Sequence, residues 1–284
     1  MSADEILAIR NAPPHDHDVP VPVRILLADD DPINREIVVA MLENHNYSIE
    51  SVDTGPAAIE AVRRNRFDML LLDGQMPGCS GEEVARAIRK EEGERLPGSG
   101  ERLPIIALTA LAATSDRDRC LASGMDDYLS KPFDRSQLLE AIRRWLPARR
   151  GGGDGVPGTA PAAGDRVVNR EAVDRIAALD EPGRPVVLQR TVALFATEAA
   201  RLASAIETLL VERDWQMAAM TAHRLKSASG SLGAERVAAW CKRIEGDPQS
   251  AGREPAATAV ELRKEIAAAC GILDEMVRKH GQQL

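Results

Sequence analysis

The chain of 284 residues is poor in cysteine: it has four, Cys79, Cys120, Cys241 and Cys270, with no CxxC spacing among them. That excludes a disulfide scaffold and a cysteine zinc site, and it predicts reduced thiols in a cytoplasmic protein. Aromatic residues are also scarce, with three Trp, three Phe and two Tyr. Surfaces that stack nucleobases need more of them. Long apolar runs are missing. Runs such as Met69–Leu72 are only a few residues long, against ~20 residues for a spanning helix, so no membrane insertion is expected. The opening stretch MSADEILAIRNAPPHDHD has neither the basic nor the apolar region of a secretory signal.

Excess positive charge is absent too. The formal net charge is −8. Residues 23–146 hold 16 basic and 22 acidic side chains, and residues 165–284 hold 17 of each. Neither half offers the basic surface that phosphate backbones require, so nucleic acid is not an expected partner. Hydrophobic residues make up 44% of the chain, enough for two cores.

Composition divides the chain. Residues 1–22 are polar and carry four prolines, which predicts a flexible lead; its His15-Asp16-His17-Asp18 run is read as incidental. Residues 147–165 (PARRGGGDGVPGTAPAAGD) are rich in Gly, Pro and Ala, a linker composition. Between them, short apolar runs alternate with amphipathic stretches. Strands are predicted over 23–28, 48–52, 68–72, 104–108 and 127–130. Helices are predicted over 33–44, 56–65, 82–90, 114–123 and 136–146. The polar stretch 91–102 is expected to be a surface loop. Such alternation predicts a doubly wound, five-stranded parallel sheet, an α/β fold. Residues 166–284 show helical periodicity alone, over 169–179, 185–211, 214–229, 235–245 and 255–279. That predicts a separate all-α four-helix bundle.

The predicted strand ends carry the chemistry. Strand one runs into Asp29-Asp30-Asp31, strand three into Asp73, strand four into Thr109 and strand five into Lys131-Pro132. In a parallel sheet these ends converge on one edge, where ligands bind. Several carboxylates in one crevice repel unless a cation neutralises them. Oxygen donors of this kind suit Mg²⁺. A carboxylate beside Mg²⁺ and a lysine is competent as a nucleophile toward a phosphoryl group. Asp31 is expected to be a loop or cap residue, and Asp126 and Asp127 turn residues.

The runs RILLADDDPINR, MLLLDGQMPGCSG, PIIALTA and DDYLSKPF resemble, in order and spacing, the receiver domain of two-component response regulators. The resemblance covers about residues 23–146 and implies a flavodoxin-like fold. It implies Asp73 as phosphoacceptor, Asp30 as a direct Mg²⁺ ligand, Asp29 acting largely through water, and the Gln75 backbone carbonyl as a further ligand. Thr109 and Lys131 would bind phosphoryl oxygens, Tyr128 falls at the aromatic switch position, and the Lys131–Pro132 bond would be cis. By the same resemblance, Gln75 and Leu111 occupy positions that vary among receivers and bear on phosphate lifetime. Leu111 cannot orient an attacking water, so slow hydrolysis of the acyl phosphate is expected. Leu111→Glu should shorten its half-life, read as loss of label from loaded protein.

The second half holds one informative histidine. In AHRLKSASGSLGA, Lys226 lies at i+3 and Ser227 at i+4 from His223, on one helix face. Small residues along that face admit another protein's backbone, and an exposed imidazole is a competent nucleophile toward an acyl phosphate. The stretch resembles the histidine phosphotransfer (HPt) domain, with its core over about residues 219–245. Ser227 stands where that family commonly has glycine. The resemblance implies His223 as phosphohistidine and Lys226 as a supporting charge.

No ATP-binding kinase block is recognisable, so the chain is expected to be a phosphotransfer protein and not an enzyme with its own kinase activity. Its expected partners are a histidine kinase and receiver-domain proteins. Three readings follow: a phosphorelay station using Asp73 and His223, a receiver switch that controls the HPt domain or a partner, and a detached hybrid-kinase tail.

Overall fold

The computed structural model describes residues 22–43, 45–76, 78–95, 102–109, 114–146, 167–181 and 184–282. The His15–Asp18 run, Leu111 and the stretch read as a linker lie outside them. Strands β1 (Val23–Ala28), β2 (Tyr47–Val52), β3 (Met69–Asp73), β4 (Ile105–Thr109) and β5 (Asp127–Ser130) form one sheet in the order β2-β1-β3-β4-β5. Every neighbouring pair is parallel. β3 and β4 are buried at all five positions, because a central strand covered on both faces reads as an unbroken apolar run. The edge strands β2 and β5 are only half-buried.

Helices cover both faces. They are α1 (Pro32–Leu42), α2 (Gly55–Arg64), α3 (Gly81–Arg95), α4 (Thr114–Ala122) and α5 (Arg135–Trp145). Strand side chains alternate between faces. Ile25, Leu27, Met69, Leu71, Ile106 and Leu108 pack under α1 and α5, with Ile37, Met41, Leu138 and Ile142 among their neighbours. Leu26, Leu70, Leu72 and Ile105 pack on the other side with Ala58, Val84 and Ile88. Each fully buried Leu or Ile contributes roughly 1.5–3 kcal/mol. The strand order reverses between β1 and β3, which opens the crevice at their carboxyl ends.

Side-chain caps set the helix starts. Asp31, Thr54 and Asp134 accept hydrogen bonds from the backbone N–H groups of Ile33, Ala57 and Gln137. Against the expectation of a loop from residue 91, α3 runs on to Arg95. Its polar last turns include the Arg89–Glu92 ion pair at 2.7 Å, and Arg89 also pairs with Asp126 at 2.6 Å. Arg89 also donates to the Leu103 and Gly124 carbonyls, so these half-buried polar groups tie the end of α3 to the segments that lead into β4 and β5.

The second region is helical throughout its described length, apart from one isolated bridge between Glu181 and Arg184. Its elements are α6 (Arg170–Ala177), α7 (Val186–Glu212), α8 (Trp215–Ser231), α9 (Glu235–Gly246), a single turn α10 (Pro248–Ala251) and α11 (Pro255–Gln282). Phe195, Leu202, Ile206, Leu225, Val237, Cys241, Leu262 and Leu273 fill the space between the four long helices. Leu225 and Leu232 are fully buried there. α10 was not expected from periodicity; Asp247 caps it by accepting from the Ser250 N–H.

The bundle packs against the first domain. α1 lies along α7 and α8. Asn34 of α1 donates to Ser227 Oγ at 3.3 Å, and Ser231 Oγ donates to Asn34 Oδ1 at 2.6 Å. Glu36 pairs with Arg190 at 3.1 Å. Ile37, Val38, Met41 and Phe133 face Ala172 and Ile176 across a small cavity.

Candidate functional site

Three strand-end carboxylates meet at the crevice. Asp29, Asp30 and Asp73 each bring one oxygen to within 4.8 Å of the others. Asp29 and Asp30 follow β1, and Asp73 closes β3, so adjacent parallel strands bring them together. Lys131 Nζ lies 2.7 Å from Asp29 Oδ2 and 3.3 Å from Asp73 Oδ2. The Lys131–Pro132 peptide is cis. Thr109, at the end of β4, is buried, and a Cβ placed on Gly74 would stand 3.9 Å from its hydroxyl oxygen. Gln75 lies two residues beyond Asp73 with an exposed side chain. Tyr128 on β5 is also exposed.

Gly81 lets α3 start close against this edge, since a Cβ there would collide with the Asp73 carbonyl oxygen. Asp31 caps α1 and also donates its backbone N–H to Asp29 Oδ1 at 2.9 Å.

Burial dominates the electrostatics. It pushes the Asp73 carboxyl up to about 7; the Asp29 and Asp30 charges add to the rise and Lys131 opposes it. Burial likewise raises Asp30, against the pull of Arg224. It lifts Asp31 to about 7, with help from the Asp29 charge. Burial disfavours the Lys131 ammonium, but Asp29 and Asp73 outweigh it and raise its pKa. Asp30 Oδ2 is buried without a hydrogen bond. A hard divalent cation matches this all-oxygen, acid-rich donor set.

His223 sits on α8, half-buried, with Nδ1 2.7 Å from Glu245 Oε1 of α9. Lys226 Nζ lies 3.2 Å from the same nitrogen and pairs with the other Glu245 oxygen. The ring is therefore held, not freely exposed as the sequence suggested. Lys226, an ammonium, has no lone pair to offer, so the carboxylate at 2.7 Å places the proton on Nδ1 and leaves the lone pair on Nε2. Glu245 is pulled below the usual carboxylate range: burial raises it, but hydrogen bonds from Lys226 and His223 prevail.

Two residues of this site were missed in the sequence. Glu245 is 22 positions from His223; its only sequence signal is a place at i+4 from buried Cys241. Arg224, beside His223, reaches into the first domain, with Nε 2.6 Å from Asp30 Oδ2.

The Response regulator receiver domain family model matches residues 25–143, and the Hpt domain model matches residues 190–272. The chain is 31% identical over 256 residues to the Sensor histidine kinase GacS of Pseudomonas protegens, which takes in 89% of this chain and 26% of that protein. It is 27% identical to the Signal transduction histidine-protein kinase BarA of Escherichia coli K12, with the same coverages. It thus spans about a quarter of the length of these relatives. The solved receiver domain of sensor histidine kinase PA1611 from Pseudomonas aeruginosa PAO1, with a magnesium ion coordinated in its active site cleft, is 40% identical. It covers 44% of this chain and 98% of its own, with a TM-score of 0.40. No helix among the described residues is long and apolar enough to cross a membrane. Over these two stretches the chain belongs to known signalling families: it is a response regulator receiver domain followed by an Hpt domain.

Proposed function

We propose that the chain carries phosphoryl groups on Asp73 and His223, as a phosphorelay station between a partner histidine kinase and a downstream receiver. We assign the receiver to residues 23–146 and the HPt domain to residues 166–284. The observation that carries this reading is the packing of the receiver's acid edge on the helix that bears His223, through Asp30 to Arg224 and Asn34 to Ser227.

In this reading the His223 Nε2 lone pair attacks the phosphorus of the Asp73 acyl phosphate. The new N–P bond forms as the P–O bond to Asp73 breaks, and its electron pair returns to the carboxylate. Glu245 faces the Nδ1 proton and offsets the positive charge that the ring acquires. Lys131 and Thr109 hold phosphoryl oxygens, and Lys226 adds positive charge near the ring. Asp29, Asp30 and Asp73, with the Gln75 carbonyl, would hold Mg²⁺, which when bound neutralises phosphoryl charge. Tyr128 would report phosphorylation to partners. Phosphoryl groups would come from another protein, with no ATP consumed by these two domains. The four cysteines are all free thiols, which suits the cytoplasm.

The test loads the full chain with acetyl phosphate and Mg²⁺ and locates the label by its acid and base stability. A base-stable, acid-labile phosphohistidine that needs both Asp73 and His223, judged by Asp73→Asn and His223→Gln, is expected. Label confined to Asp73 would overturn internal transfer and favour the receiver-switch reading. A second reading, that the chain works as the tail of a hybrid kinase, is supported by its match to a quarter of GacS and BarA. Both readings use the same two phosphoacceptors.

A further inference from the structure

Arg224 holds an unusual position for a residue next to the phosphoaccepting histidine. Its Nε lies 2.6 Å from Asp30 Oδ2, its Nη2 donates to the Asp30 backbone carbonyl at 3.3 Å, and Nη2 lies 3.9 Å from Glu198 Oε1 on α7. Both Asp30 Oδ2 and Arg224 Nε are buried, yet neither makes an aligned hydrogen bond. They touch as opposite charges with poor angular fit, and directionality contributes much of a hydrogen bond's strength.

The charges around the cluster show what this contact replaces. Lys131 serves Asp29 and Asp73, at 2.7 and 3.3 Å. Asp30 is the third carboxylate of the group, and Arg224 is the cation that meets it. Two positive charges thus face three negative ones. A divalent ion together with Lys131 would balance the three carboxylates without Arg224. With Arg224 still on Asp30, the ion would face a like charge on one of its own ligands. A second carboxylate, Glu198, already paired with Arg201, lies on the far side of the guanidinium.

We propose that Arg224 is a stand-in cation for the receiver's metal site. It occupies Asp30 when no divalent ion is bound and gives way toward Glu198 when one binds. Docking of the HPt helix and cation loading of the receiver therefore oppose each other. Linkage makes the opposition reciprocal: Arg224 weakens the cation by the same factor by which the cation weakens the Arg224 contact. The Asn34–Ser227 and Glu36–Arg190 contacts do not involve Asp30 and remain to hold α8 and its neighbour α7 near the receiver. The metal thereby loosens the helix that carries His223 without releasing it.

The inference rests on the reading of Asp29, Asp30 and Asp73 as a cation site. The experiment is calorimetric titration of the full chain with Mg²⁺ at fixed ionic strength, for wild type, Arg224→Gln and Arg224→Lys. Arg224→Gln is expected to bind Mg²⁺ about tenfold more tightly than wild type, within the usual span of coupling between sites. Arg224→Lys, which keeps the charge, should stay near wild type. Saturable binding of equal or weaker affinity in Arg224→Gln would overturn the inference and leave the cation site standing. Arg224→Lys binding as tightly as Arg224→Gln would also overturn it, because charge at that position would then be irrelevant. No saturable binding in any of the three would overturn both the inference and the cation-site reading.

Discussion

Lys131→Ala will destabilise the metal-free chain by about 3–5 kcal/mol, the usual cost of stripping one partner from a buried ion pair. Lys131 Nζ contacts two carboxylates, one of them on the fully buried Asp29. Its ammonium stays charged despite burial because Asp29 and Asp73 hold it so. Without it, three carboxylates share one crevice, and among the described residues Arg224 on Asp30 is the ion pair left to them. The effect is pH-dependent, with a definite sign. Asp73 is raised to about 7 by burial and by its acidic neighbours, whereas an unfolded aspartate titrates near ~4. Between those values the folded state keeps a proton that the unfolded state has lost. Stability of the metal-free chain therefore falls as pH rises through that window and levels off above it. Lys131→Ala should steepen the fall and extend it upward. Urea denaturation in EDTA at pH 5 and pH 8 checks this, with Mg²⁺ expected to recover most of the loss at pH 8. Equal midpoints for variant and wild type at pH 8 would remove Lys131 from the electrostatic account.

The receiver was legible because its signals are local. β3 and β4 are short apolar runs that end in Asp73 and Thr109, β1 runs straight into Asp29, and a parallel sheet brings such ends to one edge. Helix boundaries moved by one or two positions because side-chain caps such as Asp31 and Asp134 decide them. The end of α3 was misplaced because a run of charges was taken for a loop. Its i,i+3 ion pair, Arg89 with Glu92, instead extends a helix whose Arg89 reaches across to Asp126 and the Leu103 carbonyl. His223 and Lys226 could be read together because one helix turn separates them. Glu245 and Arg224 could not, since their partners come from elsewhere in the fold: α8 for Glu245, the end of β1 for Arg224. Helical periodicity shows which face of a helix is apolar, but it does not show which polar residue on a second element will meet it.

Glu245→Ala should slow phosphoryl transfer to His223 by about 10–100-fold. A hydrogen bond to a charged group contributes roughly 1.5–3 kcal/mol, and each ~1.4 kcal/mol on a barrier is tenfold in rate. The argument runs through the ring's two nitrogens. Glu245 Oε1 stands 2.7 Å from Nδ1, so the proton rests there and Nε2 is free to attack. As the N–P bond forms, the ring becomes positive, and the carboxylate faces that charge more favourably than it faced the neutral ring. Glu245→Gln keeps an acceptor for the Nδ1 proton but loses the charge, so it should fall between alanine and wild type. Hydrogen bonds from Lys226 and His223 hold the Glu245 carboxyl below its ordinary range. It is therefore ionised throughout pH 6–9, and the ratio of wild-type to Glu245→Ala rates should stay constant across that interval. Nitrogen-15 spectra of the imidazole separate positioning from mere packing: wild type should show the Nδ1–H form, and Glu245→Ala a mixture of tautomers. A variant that transfers phosphate at the wild-type rate with the tautomer unchanged would leave Glu245 as a partner of Lys226 alone.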